Sequence, residues 1–194
     1  MSNELLLRIL GYIWSAFGIY WIVAGVKGKS AQTHEPHWYR FLRLSILAVV
    51  FLLLFWNRAA VGFLGARFLP EVALVEYLGF ALTLIGLTLA LWARIHLGQY
   101  WSDKVVLKFD HQLVRTGPYA YMRHPIYSGV LLGVLGTALV LGQWRGLLAF
   151  IILLINYSIK AKKEEQILSG RFSDQFREHQ NLAGFLLPRF RSRD

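Results

Sequence analysis

Five long apolar runs alternate with polar segments along the chain, at residues 5–26, 41–56, 72–92, 126–141 and 144–159. A helix needs about 20 apolar residues to cross a bilayer core. The second run is short, and tilt or snorkelling of Arg40 and Arg58 extends it. The pattern predicts an all-α polytopic membrane protein with about five transmembrane helices. Residues 1–194 then form a single integral-membrane domain, with three helices in 1–92 and a loop, a helical hairpin and a tail in 93–194. Only Gly142 and Gln143 separate the last two runs, which makes them a tight antiparallel hairpin. Residues 160–180 read as a helix continuing out of the fifth span.

Composition narrows what such a chain can do. It is 56% hydrophobic and 16% charged, with a mean hydropathy of +0.43, against roughly 45–50% apolar and about 25% charged in soluble domains. The longest polar stretches are about 30 residues, close to one βαβ unit, so a separate doubly wound nucleotide-binding domain is excluded. Any cofactor must sit among helices and short loops. The absence of cysteine removes disulfides, thiolate metal sites and cysteine nucleophiles. The first run has neither a basic cluster before it nor a small-x-small cleavage site after it, which speaks against a signal peptide.

The net charge of +10 is explained by where the charges lie. Counted by segment, 17 of the 21 Lys and Arg fall with the first connection, the third connection and the tail. The positive-inside rule then puts the N-terminus outside and the C-terminus in the cytoplasm. Contact with anionic membrane lipids accounts for the surplus, and nucleic acid is set aside as a partner. Oligomeric state is not legible.

Glycines recur at helical spacing: Gly11, Gly18 and Gly25 in the first run, Gly79 and Gly86 in the third, Gly129, Gly133 and Gly136 in the fourth. Each set predicts a face where another helix approaches closely, and the last is also a candidate border for a lateral opening to lipid. No strand precedes it, so it is not a dinucleotide fingerprint. His34 and His37 lack further ligands in sequence, and no metal site is expected. His96 and His179 are expected to satisfy local groups, and Glu76 reads as interfacial.

The candidate chemistry lies in the two polar segments that flank the hairpin on one side of the membrane. Gly117-Pro118 enforces a turn, and Pro125 suits the first turn of the fourth span. Arg123, His124 and Tyr127 then gather at one helix N-terminus, whose N–H groups and dipole favour an anionic group. In the tail, Lys160 and Glu164 are four apart and share a helix face, a spacing that also fits a simple solvated ion pair.

The stretch from His111 through Arg-Thr-Gly-Pro-Tyr119 to Arg123-His-Pro-Ile-Tyr-Ser-Gly129, followed by the hairpin and Glu164-Glu165-Gln-Ile-Leu, resembles the isoprenylcysteine carboxyl methyltransferase family. The detailed likeness runs over about 98–190. It implies binding of S-adenosylmethionine in a cytoplasm-facing pocket made by loop, hairpin and tail. The positions it implies for the cofactor are His111, Gln112, Leu113, Val114, Tyr119, His124, Pro125, Ile126, Tyr127 and Glu164, with Glu165 as the other candidate carboxylate. Lys160 and Arg123 are the candidate catalytic residues. The family usually has an arginine where Lys160 stands, and lysine offers a point charge without the planar fork. The tail also departs from the family, with Phe176, His179 and Ala183-Gly184-Phe185 in place of its usual residues.

The physical demands agree with that resemblance. The cofactor's α-ammonium wants a carboxylate and its α-carboxylate suits a helix N-terminus. A carboxylate acceptor is ionised at pH 7, so transfer needs alignment and exclusion of water more than a base. The expected activity is O-methylation of a prenylated cysteine or similar lipid-like acid. The alternatives are lipid N-methylation, which calls for a base such as His124, small-thiol S-methylation, an NADPH-dependent sterol-type reductase and a non-catalytic membrane scaffold.

Overall fold

The structure, a computed structural model of the chain, describes residues 3–26, 37–98 and 113–190. Five helices form where the apolar runs predict them: α1 (Asn3–Val26), α2 (His37–Phe55), α3 (Ala73–Leu97), α4 (Pro125–Leu141) and α5 (Trp144–Leu182). Four are long and apolar enough to cross a membrane, and α4 is a shorter apolar helix of 17 residues. Its brevity follows from its place. Twelve of those 17 residues are buried, because α4 runs through the middle of the bundle and is apolar all round. The core joins Leu6, Leu10 and Trp14 of α1 to Val50 and Leu54 of α2, Leu87 of α3, Val134 of α4 and Leu153 of α5. Exposed apolar side chains such as Ile22, Phe41, Ile85 and Ile155 form the outer surface. The chain is an integral membrane protein.

Lipid tails are as apolar as leucine, so close van der Waals contact between helices must supply what water supplies in a soluble core. The α3–α4 pair shows this. A Cβ placed on Gly86 would lie 2.5 Å from both Gly129 O and Gly133 N, and one on Gly79 would lie 2.6 Å from Gly136 O. Only hydrogen at these positions lets the two backbones meet. Beside them Thr83 Oγ1 donates to Gly79 O at 3.0 Å, Thr137 Oγ1 donates to Gly133 O at 2.9 Å, and Trp14 Nε1 donates to Thr137 Oγ1 at 3.0 Å. Two glycine expectations are corrected. A Cβ on Gly18 of α1 would meet nothing within 4 Å, so that residue marks no close approach. The α4 glycines face α3, Leu87 and Trp14, which makes them a sealed helix contact and not the border of a lipid opening.

Buried arginines finish both ends of the bundle. Arg145 donates through Nη1 to Leu53 O at 2.9 Å and Trp56 O at 3.0 Å, and Arg94 donates through Nη2 to Ala24 O at 3.1 Å. Each places a cation on the carbonyl-rich C-terminus of a neighbouring helix, where the macrodipole favours it. At the Arg145 end, Gly142 takes a left-handed φ of 65° to close the α4–α5 turn. There Glu76 is buried and accepts from Asn3 Nδ2 at 2.9 Å.

The tail differs from the continuous helix expected over 160–180. At 39 residues, α5 would be about 58 Å long if straight, twice a bilayer core. It breaks at Ser173, where φ is 26°. The segment beyond returns toward α4, burying Phe176 and His179. Residues 183–189 then lie against 121–123: Arg123 N donates to Gly184 O, and the Gly184 and Arg189 amides both donate to Tyr121 O.

Candidate active site

Proline at the first position of α4 fixes the entry into the helix and leaves His124 as its N-cap. The preceding Gly117–Ala120 turn buries Pro118 and Tyr119, with the ring of His96 stacked on Tyr119 at 6.4 Å and hydrogen-bonded to Thr116 Oγ1 at 2.9 Å. Tyr119 and Ile126 form a small apolar cluster with Ala93, against which Val114, Leu97, Trp21 and Tyr127 pack. Across this end runs α5, which carries Lys160, Glu164 and Glu165. The structure therefore brings together Arg123, His124, Tyr127, Lys160, Glu164 and Glu165, with Tyr119, Ile126 and Val114 alongside. Pro125 acts through the backbone, and Leu113 is half-buried. His111 and Gln112 lie outside the described residues. Two carboxylates of α5 thus face the N-terminus of α4, the end its dipole makes attractive to negative charge.

The two carboxylates have different surroundings. Glu165 accepts from Arg123 Nε at 2.6 Å, from His124 Nε2 at 3.1 Å and from Gln180 Nε2 at 3.3 Å. Burial opposes its charge, but hydrogen bonds from His124 and Arg123 and then the charge of Arg123 outweigh burial and hold the carboxyl at about 2. Arg123 also donates through Nη1 to Ala183 O and to Gln180 O at 3.3 Å. Its guanidinium is committed to holding α5 and the returning tail together, which casts it as a positioning residue.

Glu164 is the more open of the pair, 23% exposed against 14%. Its Oε1 accepts from the Tyr127 hydroxyl at 2.6 Å, with Lys160 Nζ 4.0 Å away. Its Oε2 lies 3.7 Å from His124 Nδ1. An ionised carboxylate can only accept. His124 therefore donates to Glu165 through Nε2, and the tautomer that carries its proton there presents Nδ1 as an acceptor beside Glu164. Two acceptors 3.7 Å apart leave room for an ammonium nitrogen about 2.9 Å from each.

The rings complete the site. Tyr127 stacks on His124 at 5.5 Å and meets Tyr157 at 4.7 Å, while Phe185 stands edge-on to His124 at 5.3 Å and under the Arg123 guanidinium at 5.7 Å. Burial first, then the negative charge of Glu164, pushes the Tyr119 phenol well above its ordinary pKa, so it remains a neutral hydroxyl at physiological pH. His179 lies buried beneath Arg123, and burial followed by the charges of Arg123 and Arg115 holds its imidazole down at about 4. Gln180, Ala183, Phe185, Tyr157 and Ser128 are parts of this construction that sequence patterns did not single out. Four of them act through backbone carbonyls or rings, which carry no motif, and Ser128 Oγ donates to the Leu186 carbonyl. Among the described residues no group of three metal-ligating side chains converges.

Comparison with known proteins places these features in a family. The chain is 34% identical over 99 residues to the protein-S-isoprenylcysteine O-methyltransferase of Schizosaccharomyces pombe, covering 50% of this chain and 42% of that protein. It is 38% identical over 80 residues to the Saccharomyces cerevisiae protein of the same name, covering 41% and 34%. An uncharacterised Bacillus subtilis protein, YpbQ, is 30% identical over 94 residues, covering 47% of this chain and 56% of its own. The chain thus spans less than half the length of either yeast relative. Among solved structures, a eukaryotic intramembrane Ras methyltransferase, an isoprenylcysteine carboxyl methyltransferase, superposes with a TM-score of 0.57 at 21% identity, over 81% of this chain and 54% of that one. The likeness read from the Arg123–Gly129 and Glu164–Glu165 segments is borne out. The family model for phospholipid methyltransferases matches residues 74–175, more than half of the chain, including α4 and the part of α5 that carries Lys160, Glu164 and Glu165, and the chain belongs to that family.

Proposed function

We propose that the protein transfers a methyl group from S-adenosylmethionine to the carboxylate of a prenylated cysteine or a similar lipid-like acid, at the cytoplasmic face of the membrane. The observation that carries this reading is the acceptor pair formed by Glu164 Oε2 and His124 Nδ1, set beside the buried cation Lys160 at an apolar bundle's end. The pair fits the α-ammonium of the donor, and the Tyr119–Ile126–Val114 cluster offers an apolar wall beside it. S-adenosylmethionine, when bound, supplies an electrophilic methyl group on a sulfonium centre. Everything else falls to the chain. Glu165, Arg123 and Gln180 fix the imidazole and α5 in register, and Lys160 orients the acceptor carboxylate. The rings of Tyr127, Tyr157 and Phe185 exclude water. No proton has to be removed from an ionised carboxylate, so alignment in a dry site is the main contribution. The basic residues around this end of the bundle support the cytoplasmic orientation.

A second reading, N-methylation of an ethanolamine lipid, is favoured by one feature: His124 Nδ1 is an acceptor beside the site and could take the amine's proton. The deciding experiment supplies purified protein in nanodiscs with labelled S-adenosylmethionine and three acceptors: an S-prenylcysteine acid, phosphatidylethanolamine and a small thiol. Base-labile methyl ester on the prenylcysteine, with KM falling as the prenyl chain lengthens, supports the proposal, since each buried CH₂ adds up to about 0.8 kcal/mol. Base-stable label on the lipid amine or the thiol, or a KM indifferent to chain length after correction for partitioning, overturns it.

A further inference from the structure

A methyl acceptor whose carboxylate must be held still needs a cation with directional hydrogen bonds, and Lys160 supplies only a point charge. A guanidinium stands on the facing helix. Helices α2 and α5 run antiparallel, and their register at this end is set by Lys163 Nζ lying 3.9 Å from the centre of the Tyr39 ring. One turn further into the membrane along α2 comes Arg43, four residues on, and one turn further in along α5 comes Lys160, three residues back. At 1.5 Å per residue these steps are about 6 and 4.5 Å, so Arg43 and Lys160 face each other at the same depth. Both are 7% exposed. The Arg43 guanidinium lies 5.4 Å from the Tyr39 ring and Lys160 Nζ lies 5.3 Å from the Tyr127 ring. The Tyr127 hydroxyl itself donates to Glu164.

Two cations at one depth in a medium of low polarity make a place that favours an anion between them, beside the Glu164 carboxylate that lies 4.0 Å from Lys160 Nζ. The seam is also placed for an acceptor arriving sideways from lipid. Phe41, Leu42 and Leu44, the neighbours of Arg43 on α2, are all exposed and apolar, so Arg43 lies directly behind a lipid-facing surface. Glu164, which would hold the donor, lies one turn from Lys160 along α5, with its carboxylate 4.0 Å from Lys160 Nζ.

We propose that Arg43 is the second half of the acceptor site, its guanidinium pairing with Lys160 across the α2–α5 seam to hold the carboxylate of a lipid-like acid. The inference rests on the acceptor class proposed above and names the residue that selects for a carboxylate. The planar fork gives bidentate geometry that Lys160 cannot, so an acid is distinguished from its uncharged carboxamide of equal shape and apolarity.

The test measures binding separately from turnover. N-acetyl-S-farnesylcysteine and its carboxamide are titrated into wild-type, Arg43→Lys and Arg43→Met protein in nanodiscs, with S-adenosylmethionine affinity as the check on folding. Wild-type protein is expected to prefer the acid at least tenfold, Arg43→Met to bring that ratio close to one, and Arg43→Lys to fall between. S-adenosylmethionine affinity should stay within about twofold throughout. An acid-to-amide ratio that survives in Arg43→Met overturns the proposal, as does loss of donor binding in both variants, which would make Arg43 structural. Absence of any acid preference in the wild type also overturns it. Acid preference lost with Arg43 while the wild type makes no methyl ester leaves the carboxylate site standing and refutes the activity instead.

Discussion

Replacing Glu165 by Gln separates the residue that builds the site from the one proposed to hold the donor. The amide keeps the shape of the carboxylate but loses its charge, weakening the contacts from Arg123 Nε, His124 Nε2 and Gln180. A carboxyl held at about 2 in place of 4.5 prefers its ionised form by about 3 kcal/mol, at about 1.4 kcal/mol per tenfold change in proton affinity. An amide oxygen still accepts one hydrogen bond, so the expected loss is about 2 kcal/mol, or roughly a 30-fold larger population with the tail undocked. The amides of Gly184 and Arg189, which donate to Tyr121 O at 3.0 and 2.9 Å, report that opening directly. Their hydrogen exchange should quicken roughly 30-fold in Glu165→Gln and stay unchanged in Glu164→Gln. Donor affinity should show the opposite emphasis, with Glu164→Gln losing about 1.5–3 kcal/mol of S-adenosylmethionine binding while the tail stays docked. The pH dependence carries the sign of a depressed acid. The contribution of Glu165 is complete above pH 4.5, declines as pH falls toward 2, and is absent from the Gln variant. Equal exchange at 184 and 189 in wild type and Glu165→Gln would falsify the bracing role.

Gly86→Ala should cost about 1–3 kcal/mol in thermal unfolding, because its Cβ would meet the Gly129 and Gly133 backbone, while Gly18→Ala should change stability by no more than about 0.5 kcal/mol; equal effects would refute the α3–α4 contact. His179 stays neutral down to about 4, so its contribution is complete above its unfolded value near 6.5, and about 2 kcal/mol is lost by pH 5. His179→Gln should flatten the fall in melting temperature between pH 7 and 5, and an unaltered slope would exclude the buried imidazole as its source. Lys160→Met should raise KM for an acidic acceptor and lower kcat while leaving S-adenosylmethionine affinity intact; equal loss of donor binding would make Lys160 structural.

The helices were legible because a membrane span is written as a run of apolar residues, and Pro125 and Gly142 mark the ends of α4 in the sequence itself. The gathering of Arg123, His124 and Tyr127 was legible for the same reason: three residues around one helix N-terminus need no tertiary information. Which glycines touch another helix was not. Gly18 and Gly86 have the same spacing signature, and only the partner's position distinguishes a lipid-facing face from a contact. The return of the chain at Ser173 was also hidden, since a serine inside a helical pattern gives no stop signal. With it were hidden Gln180 and Ala183 as partners of Arg123, and the depth that Arg43 shares with Lys160.

The docked tail makes the order of synthesis matter. Arg123 finds its carboxylate 42 residues later in the chain and its last carbonyl partner, at Ala183, 60 residues later. At about 5–20 residues per second, the helix bearing Arg123 waits roughly 3–12 s in the bilayer before its guanidinium is satisfied. During that interval α1 to α4 can already close their glycine and threonine contacts, since all of those partners have been made. The newborn protein therefore passes through a stage with an assembled membrane scaffold and an unformed site. Errors of assembly should collect at that stage, where a quality-control protease meets a cation without its counter-charge and a tail that has yet to turn back.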